Sequence, residues 1–207
     1  MVKSKHNPLI YKFLKIYTLW KISRNFRQVI INGEIKDNNK AILLISNHFS
    51  WWDGFWAMYL NLKIFRRKFH FMMLEEQLEK FWFFKYSGGY PVRKRTRSVL
   101  ESIDYTIELL SGRQNLVLLF PQGRLESLYK NSITFEKGIT RIVSGINGKA
   151  QILFVVNLID YLSEPKPSLF FWLKEFTMEN QQAEGIEKAY NAFLSECISE
   201  QIKSVNE

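Results

Sequence analysis

Ile10, Phe13, Leu14, Tyr17 and Trp20 recur at three- and four-residue intervals, with Lys12, Lys15, Lys21, Arg24 and Arg27 interleaved. This spacing predicts an amphipathic helix, or two short ones, over residues 8–31, opening at Pro8. It fits a surface helix that caps a domain and equally a helix lying at a membrane interface. "QVIINGEI" then reads as a strand pattern around a turn at Asn32-Gly33. Three uninterrupted apolar runs follow along the chain: "AILLIS" from 41 to 46, "NLVLLF" ending abruptly at Pro121, and "QILFVVNLI" from 151. Runs of this length predict buried strands. Between them, helical spacing covers 53–62, 75–86 and 97–111, the last through Val99, Leu100, Ile103, Ile107 and Leu110. A short strand is expected over 69–73, a turn at "SGGYP", a helix over 139–146, a loop at "SEPKPS" and a last amphipathic helix over about 184–203. Strands alternating with helices predict an α/β fold, a single layered domain whose mostly buried mixed sheet is flanked by helices.

The 207 residues suit one domain, enough to bury roughly 70% of the unfolded surface. The expected division is an N-terminal helical segment over 1–31 and an α/β domain over 32–207. One cysteine, Cys197, excludes an internal disulfide, and no Cys/His spacing suits zinc. Cys197 shares helical spacing with Tyr190, Phe193, Leu194 and Ile198, so it is expected in the core.

Charge changes the picture through its placement. The net charge is +9, but residues 1–40 and 61–100 each carry +7, while 175–207 carry −5. Basic zones suit a membrane surface, nucleic acid or a polyanionic substrate. Aromatic residues make up 15% of the chain and sit beside Lys or Arg in "YKFLKIYTLWK" and "KIFRRKFHFMM". Because Leu, Ile and Met accompany them, a membrane surface is preferred over nucleic acid. The longest candidate membrane span, 41–62, is interrupted by His48 and Asp53, and the basic start lacks a signal-peptide core. A peripheral protein on the cytoplasmic face of a membrane is expected, with no nucleic-acid partner.

The candidate chemistry lies in "SNHFSWWDGF", residues 46–55. A strand ends, His48 follows in the turn, and Asp53 stands near the next helix start, where a carboxylate suits the helix dipole. An aspartate there can fix the imidazole tautomer and leave the second ring nitrogen as a base. Alone, the pair also fits a turn histidine followed by a helix cap.

It does not stand alone. "NHFSWWD" resembles the N-H-x4-D box of the glycerolipid acyltransferases, which acylate 1-acylglycerol-3-phosphate and glycerol-3-phosphate. "GGYPVRK" (88–94) is similar to that family's second box and "LVLLFPQG" (116–123) to its third, while "FEKG" (135–138) and "ILFVVNLI" match its closing section. The resemblance implies an acyltransferase. His48 would deprotonate an acceptor hydroxyl that attacks an acyl-CoA or acyl-carrier-protein thioester, Asp53 would orient the ring, and backbone N–H groups would hold the oxyanion. The implied acceptor is a lyso-lipid such as 1-acylglycerol-3-phosphate. No cofactor, metal or acyl-enzyme is implied. Trp51 and Trp52 would stand where a greasy substrate enters, or simply fill the core. The implied substrate-binding residues are Arg93 and Lys94 of the second box and Gln122, Gly123 and Arg124 of the third. There are departures. Gln122 stands where the family usually has Glu, Leu125 and Lys94 where it has Arg, and Asn157 where it often has Pro. These leave open an acceptor without phosphate, such as a glycolipid, pigment or amino-acid lipid. A non-catalytic lipid-binding protein on the same scaffold is the remaining alternative.

Overall fold

The computed structural model describes residues 3–93, 98–177 and 183–204. The described chain forms seven strands, β1 (Val29–Asn32), β2 (Ala41–Ser46), β3 (Lys68–Leu74), β4 (Gly89–Val92), β5 (Asn115–Leu119), β6 (Ala150–Asp160) and β7 (Ser168–Phe176). Six α-helices accompany them: α1 (Pro8–Asn25), α2 (Asp53–Leu60), α3 (Glu75–Lys80), α4 (Ser98–Leu109), α5 (Gly138–Ile146) and α6 (Ile186–Ser204). The strands make one sheet in the order β1-β7-β6-β2-β5-β3-β4. β6 and β7 pair antiparallel and every other neighbouring pair is parallel, so the sheet is mixed, as expected.

Alternation along β2 shows why the central strands are apolar on both faces. Ala41, Leu43 and Ile45 pack with side chains of α4, α5 and α6. Ile42 and Leu44 point the other way, toward Ile22 of α1 and Trp56, Ala57 and Leu60 of α2. Successive side chains on a strand leave opposite faces, so a strand covered on both sides reads as a continuous apolar run. Cys197 is buried in the first of these layers.

Several expectations need correction. The N-terminal helix stops at Asn25, not 31: Val29–Asn32 is β1, anchored where Arg27 N–H donates to Pro167 O and Leu169 N–H to Gln28 O. Gly33 has φ +92, yet no hairpin follows, because β1 pairs with β7, far along the chain. "SGGYP" is not only a turn. Gly89–Val92 is the edge strand β4, and an edge tolerates Pro91. The helix expected over 75–86 breaks at Phe81 (φ −111, ψ 59) and resumes as a 3-10 turn, Trp82–Tyr86, whose neighbouring aromatic rings meet tilted or edge-on. β7 was not anticipated at all. Among the described residues no helix is long and apolar enough to cross a membrane.

Candidate active site

β2, β3, β4, β5 and β6 all run the same way, so Ser46, Leu74, Val92, Leu119 and Asp160 end at one edge of the sheet. After β2 the chain passes to α2 on one face, whereas after β5 it passes to α5 on the other. That divergence opens a crevice between the two carboxyl ends, the place where open α/β sheets bind ligands. His48 and Phe120, each just past its strand, meet there. Their rings stack at 4.0 Å with 10° between planes.

The His48 turn is held from three sides. Asn47 and Asn157 bind one another across the sheet: Asn47 Nδ2 donates to Asn157 O (3.0 Å) and Asn157 N–H to Asn47 Oδ1 (2.8 Å). Asn157 Nδ2 adds a bond to Ser46 Oγ at 3.0 Å. From the third-box side, Glu126 N–H donates to His48 O at 2.9 Å. The remaining hold is Asp53.

Asp53 is fully buried and opens α2, but it does not cap that helix. Its Oδ2 turns back into the loop, accepting from the amides of Phe49 (2.8 Å) and Ser50 (2.9 Å) and from His48 Nδ1 (2.7 Å). A carboxylate accepting at Nδ1 selects the Nδ1–H tautomer and leaves the lone pair on Nε2. Burial pushes the Asp53 carboxyl above the usual aspartate range, opposed by the His48 hydrogen bond and the Ser50 and Phe49 amides. The His48 side chain is 24% exposed, so its free nitrogen is within reach of a substrate. A buried carboxylate, an oriented imidazole and access are the features that general-base chemistry requires.

The structure separates the two tryptophans. Trp51 is 62% exposed, whereas Trp52 packs edge-on against Phe26 (5.3 Å). Of the expected substrate-binding residues, Gln122 is buried and Gly123 has φ +60, both directly after Pro121. Arg124 points to Glu126, with Nε and Nη2 at 3.1 and 3.0 Å from Oε1. Lys130 Nζ meets the same oxygen at 3.0 Å. Arg93 lies past β4, three strands from β2, or about 14 Å across the sheet. It is ion-paired with Glu75. Lys94 lies outside the described residues. Sequence reasoning missed Phe120 and Glu126 as neighbours of His48, and saw Asn157 only as a departure. Adjacency to the F-P-x-G box was the available signal for the first two.

Beside the site, Leu128, Tyr129, Leu158, Leu162, Ile198 and Ile202 line an apolar groove of about 420 Å³. A smaller cavity shares Leu128, Leu158 and Ile198 with it and is lined also by Asn47, Phe49 and Gln122. Among the described residues no group of three or more His, Cys, Asp or Glu side chains is placed to hold a metal ion.

Comparison with curated proteins gives no match. The profile of the family described as Acyltransferase matches residues 24–155, well over half of the chain, including β2, the His48 turn, β5 and most of β6. The chain therefore belongs to the Acyltransferase family and is an acyltransferase.

Proposed function

We propose that the protein transfers a fatty acyl group from a thioester donor, acyl-CoA or acyl-carrier protein, to a hydroxyl of a lipid acceptor, with His48 as general base and Asp53 as its positioning partner. The observation that carries this reading is the 2.7 Å His48–Asp53 bond at the carboxyl edge of the sheet, with Nε2 left free and accessible. In the forward step His48 Nε2 takes the hydroxyl proton as that oxygen attacks the thioester carbonyl. The tetrahedral intermediate collapses, the C–S bond breaks, and the imidazolium returns its proton to the thiolate, giving ester and thiol. Fully buried Asp53 stabilises the imidazolium without needing to accept the proton. The apolar groove offers room for part of an acyl chain, its volume falling within the range of small-molecule pockets.

The reaction is proposed to occur at a membrane surface on the cytoplasmic side, where such thioesters are made. Leu9, Phe13, Ile16 and Trp20 are 49–79% exposed and recur on one stripe of α1, while Leu14, Thr18 and Ile22 bury the opposite face. Lys15 rests on Tyr11, and Lys21 and Arg24 on Trp20, so cations ring the stripe. Tyr17 contacts Phe55 (5.9 Å) and Phe55 contacts Trp51 (4.8 Å), joining the stripe to the loop between His48 and Asp53.

The test is acyl transfer by the purified protein in lipid vesicles. His48→Ala is expected to lower kcat by about 10²–10⁴-fold while the melting temperature holds. Turnover near wild type would end this mechanism.

A further inference from the structure

We infer that the acceptor presents a phosphate-free, hydroxyl-bearing head group, and that Glu126 is the residue that sets this preference. The inference rests on the acyl-transfer reading above and narrows its substrate.

Glu126 stands at the site by construction. Its backbone N–H holds the carbonyl of His48, and its side chain is only 6% exposed although its two cationic partners are 50–69% exposed. Oε1 takes Arg124 and Lys130 together. The Lys130 ammonium, opposed by burial and joined by Arg124, keeps the carboxyl below the usual glutamate range, so it is ionised at neutral pH. The two cations that the third-box loop offers are thus already bound to an internal anion. A phosphate arriving at His48 would have to compete with that like-charged carboxylate for them.

The walls point the same way. Glu126 Oε2 is buried and has no hydrogen-bond partner among the described residues, and the same holds for Asp53 Oδ1 and Gln122 Oε1. Each belongs to a residue that touches the 47–49 turn: Asp53 bonds His48 Nδ1 through its other oxygen, Gln122 lines a small cavity with Asn47 and Phe49, and Glu126 holds the His48 carbonyl through its backbone N–H. Carboxylate and amide oxygens in the walls favour a neighbouring donor over a further acceptor. A phosphate monoester dianion carries acceptors alone. A diol or sugar-like head group carries O–H donors and no charge, so it neither contends with the Glu126 carboxylate nor adds like charge while one hydroxyl faces His48 Nε2. The Glu126 carboxylate offers acceptors on both oxygens, whereas Gln122 offers one acceptor and one donor group. Arg93 does not alter this balance, lying three strands away and paired with Glu75.

The experiment uses one long-chain acyl-CoA as donor with two acceptors that differ by the phosphate alone, 1-monoacylglycerol and lysophosphatidate, in vesicles of one composition. Wild type is expected to favour monoacylglycerol in kcat/KM by tenfold or more. Glu126→Gln keeps the volume and the backbone bond to His48 but releases Arg124 and Lys130. It is expected to move the ratio tenfold or more toward lysophosphatidate, chiefly through the KM of that acceptor. A wild-type preference for lysophosphatidate, or a folded Glu126→Gln protein with an unmoved ratio, overturns the inference. So does a wild type that hydrolyses the thioester through His48 yet acylates neither acceptor. Should Glu126→Gln fail to fold, the wild-type ratio alone decides. Transfer that persists in His48→Ala would overturn the underlying mechanism instead, leaving the acceptor ratio to be judged separately.

Discussion

At the scale of single residues, the unit to consider spans six positions, His48 to Asp53. Asp53 gathers His48 and two loop amides on one oxygen. Asp53→Asn replaces the acceptor by a group that can present N–H to Nδ1 and so favours the wrong tautomer. It is expected to cost at least 10²-fold in kcat with little change in acceptor KM, as steady-state kinetics on a folded variant would show. A different kind of residue explains the second box. Gly88 has φ +104, and a Cβ there would lie 2.0 Å from Phe69 O, so the residue before β4 must be glycine for β4 to close on β3. Gly88→Ala is expected to destabilise the fold by at least about 2 kcal/mol in urea denaturation, whatever it does to activity. The His48–Asp53 pair was legible because both partners lie within one turn of chain. Phe120, Glu126 and Asn157 were not, because their roles depend on which strands become neighbours.

At the scale of elements, α1 has two apolar faces, and that is why its pattern read well as a helix but poorly as to where it docks. One face sits on α2 through Ile22 and the other is unpaired. Binding to vesicles containing anionic lipid is expected to fall on the order of 100-fold when Lys12, Lys15 and Lys21 are all changed to Glu, and to weaken with salt. Co-sedimentation measures both, and equal binding to neutral vesicles would count against the surface proposed here. The helix spans with one periodic face, α4 and α5, were recovered within a few residues. β7 was not recovered because its burial alternates imperfectly and Lys174-Glu175 interrupts it. β4 escaped because its four residues carry Gly and Pro, which read as a turn in isolation.

At the scale of the whole molecule, the class of fold was legible and the strand order was not, since nothing local records that β2 lies between β5 and β6 or that β1 meets β7. The chain start is also bound to the distant sheet edge. Ser4 Oγ lies 2.9 Å from both His70 Nδ1 and Tyr105 OH, and His6 Nε2 2.9 Å from Phe69 O. Burial, aided by His6 and Lys68, lowers His70 to about 3, and burial likewise lowers His6. Both are therefore neutral in the fold but take up protons near pH 6.5 when unfolded. The His70 contribution to stability is complete above about pH 6.5 and is lost as pH falls toward 3, and the His6 contribution runs in the same direction. Urea midpoints are expected to fall between pH 7 and 5, and His70→Gln to flatten that slope. The Asn47–Asn157 clamp has a consequence for biosynthesis. The turn bearing His48 is made early, yet its anchor arrives 110 residues later. A growing chain on the ribosome thus carries His48 long before Asn157 can fix its turn, and β2, apolar on both faces, waits for β6. Such distant pairing slows folding, so the His48 turn takes its final form only once β6 has emerged to pair with β2.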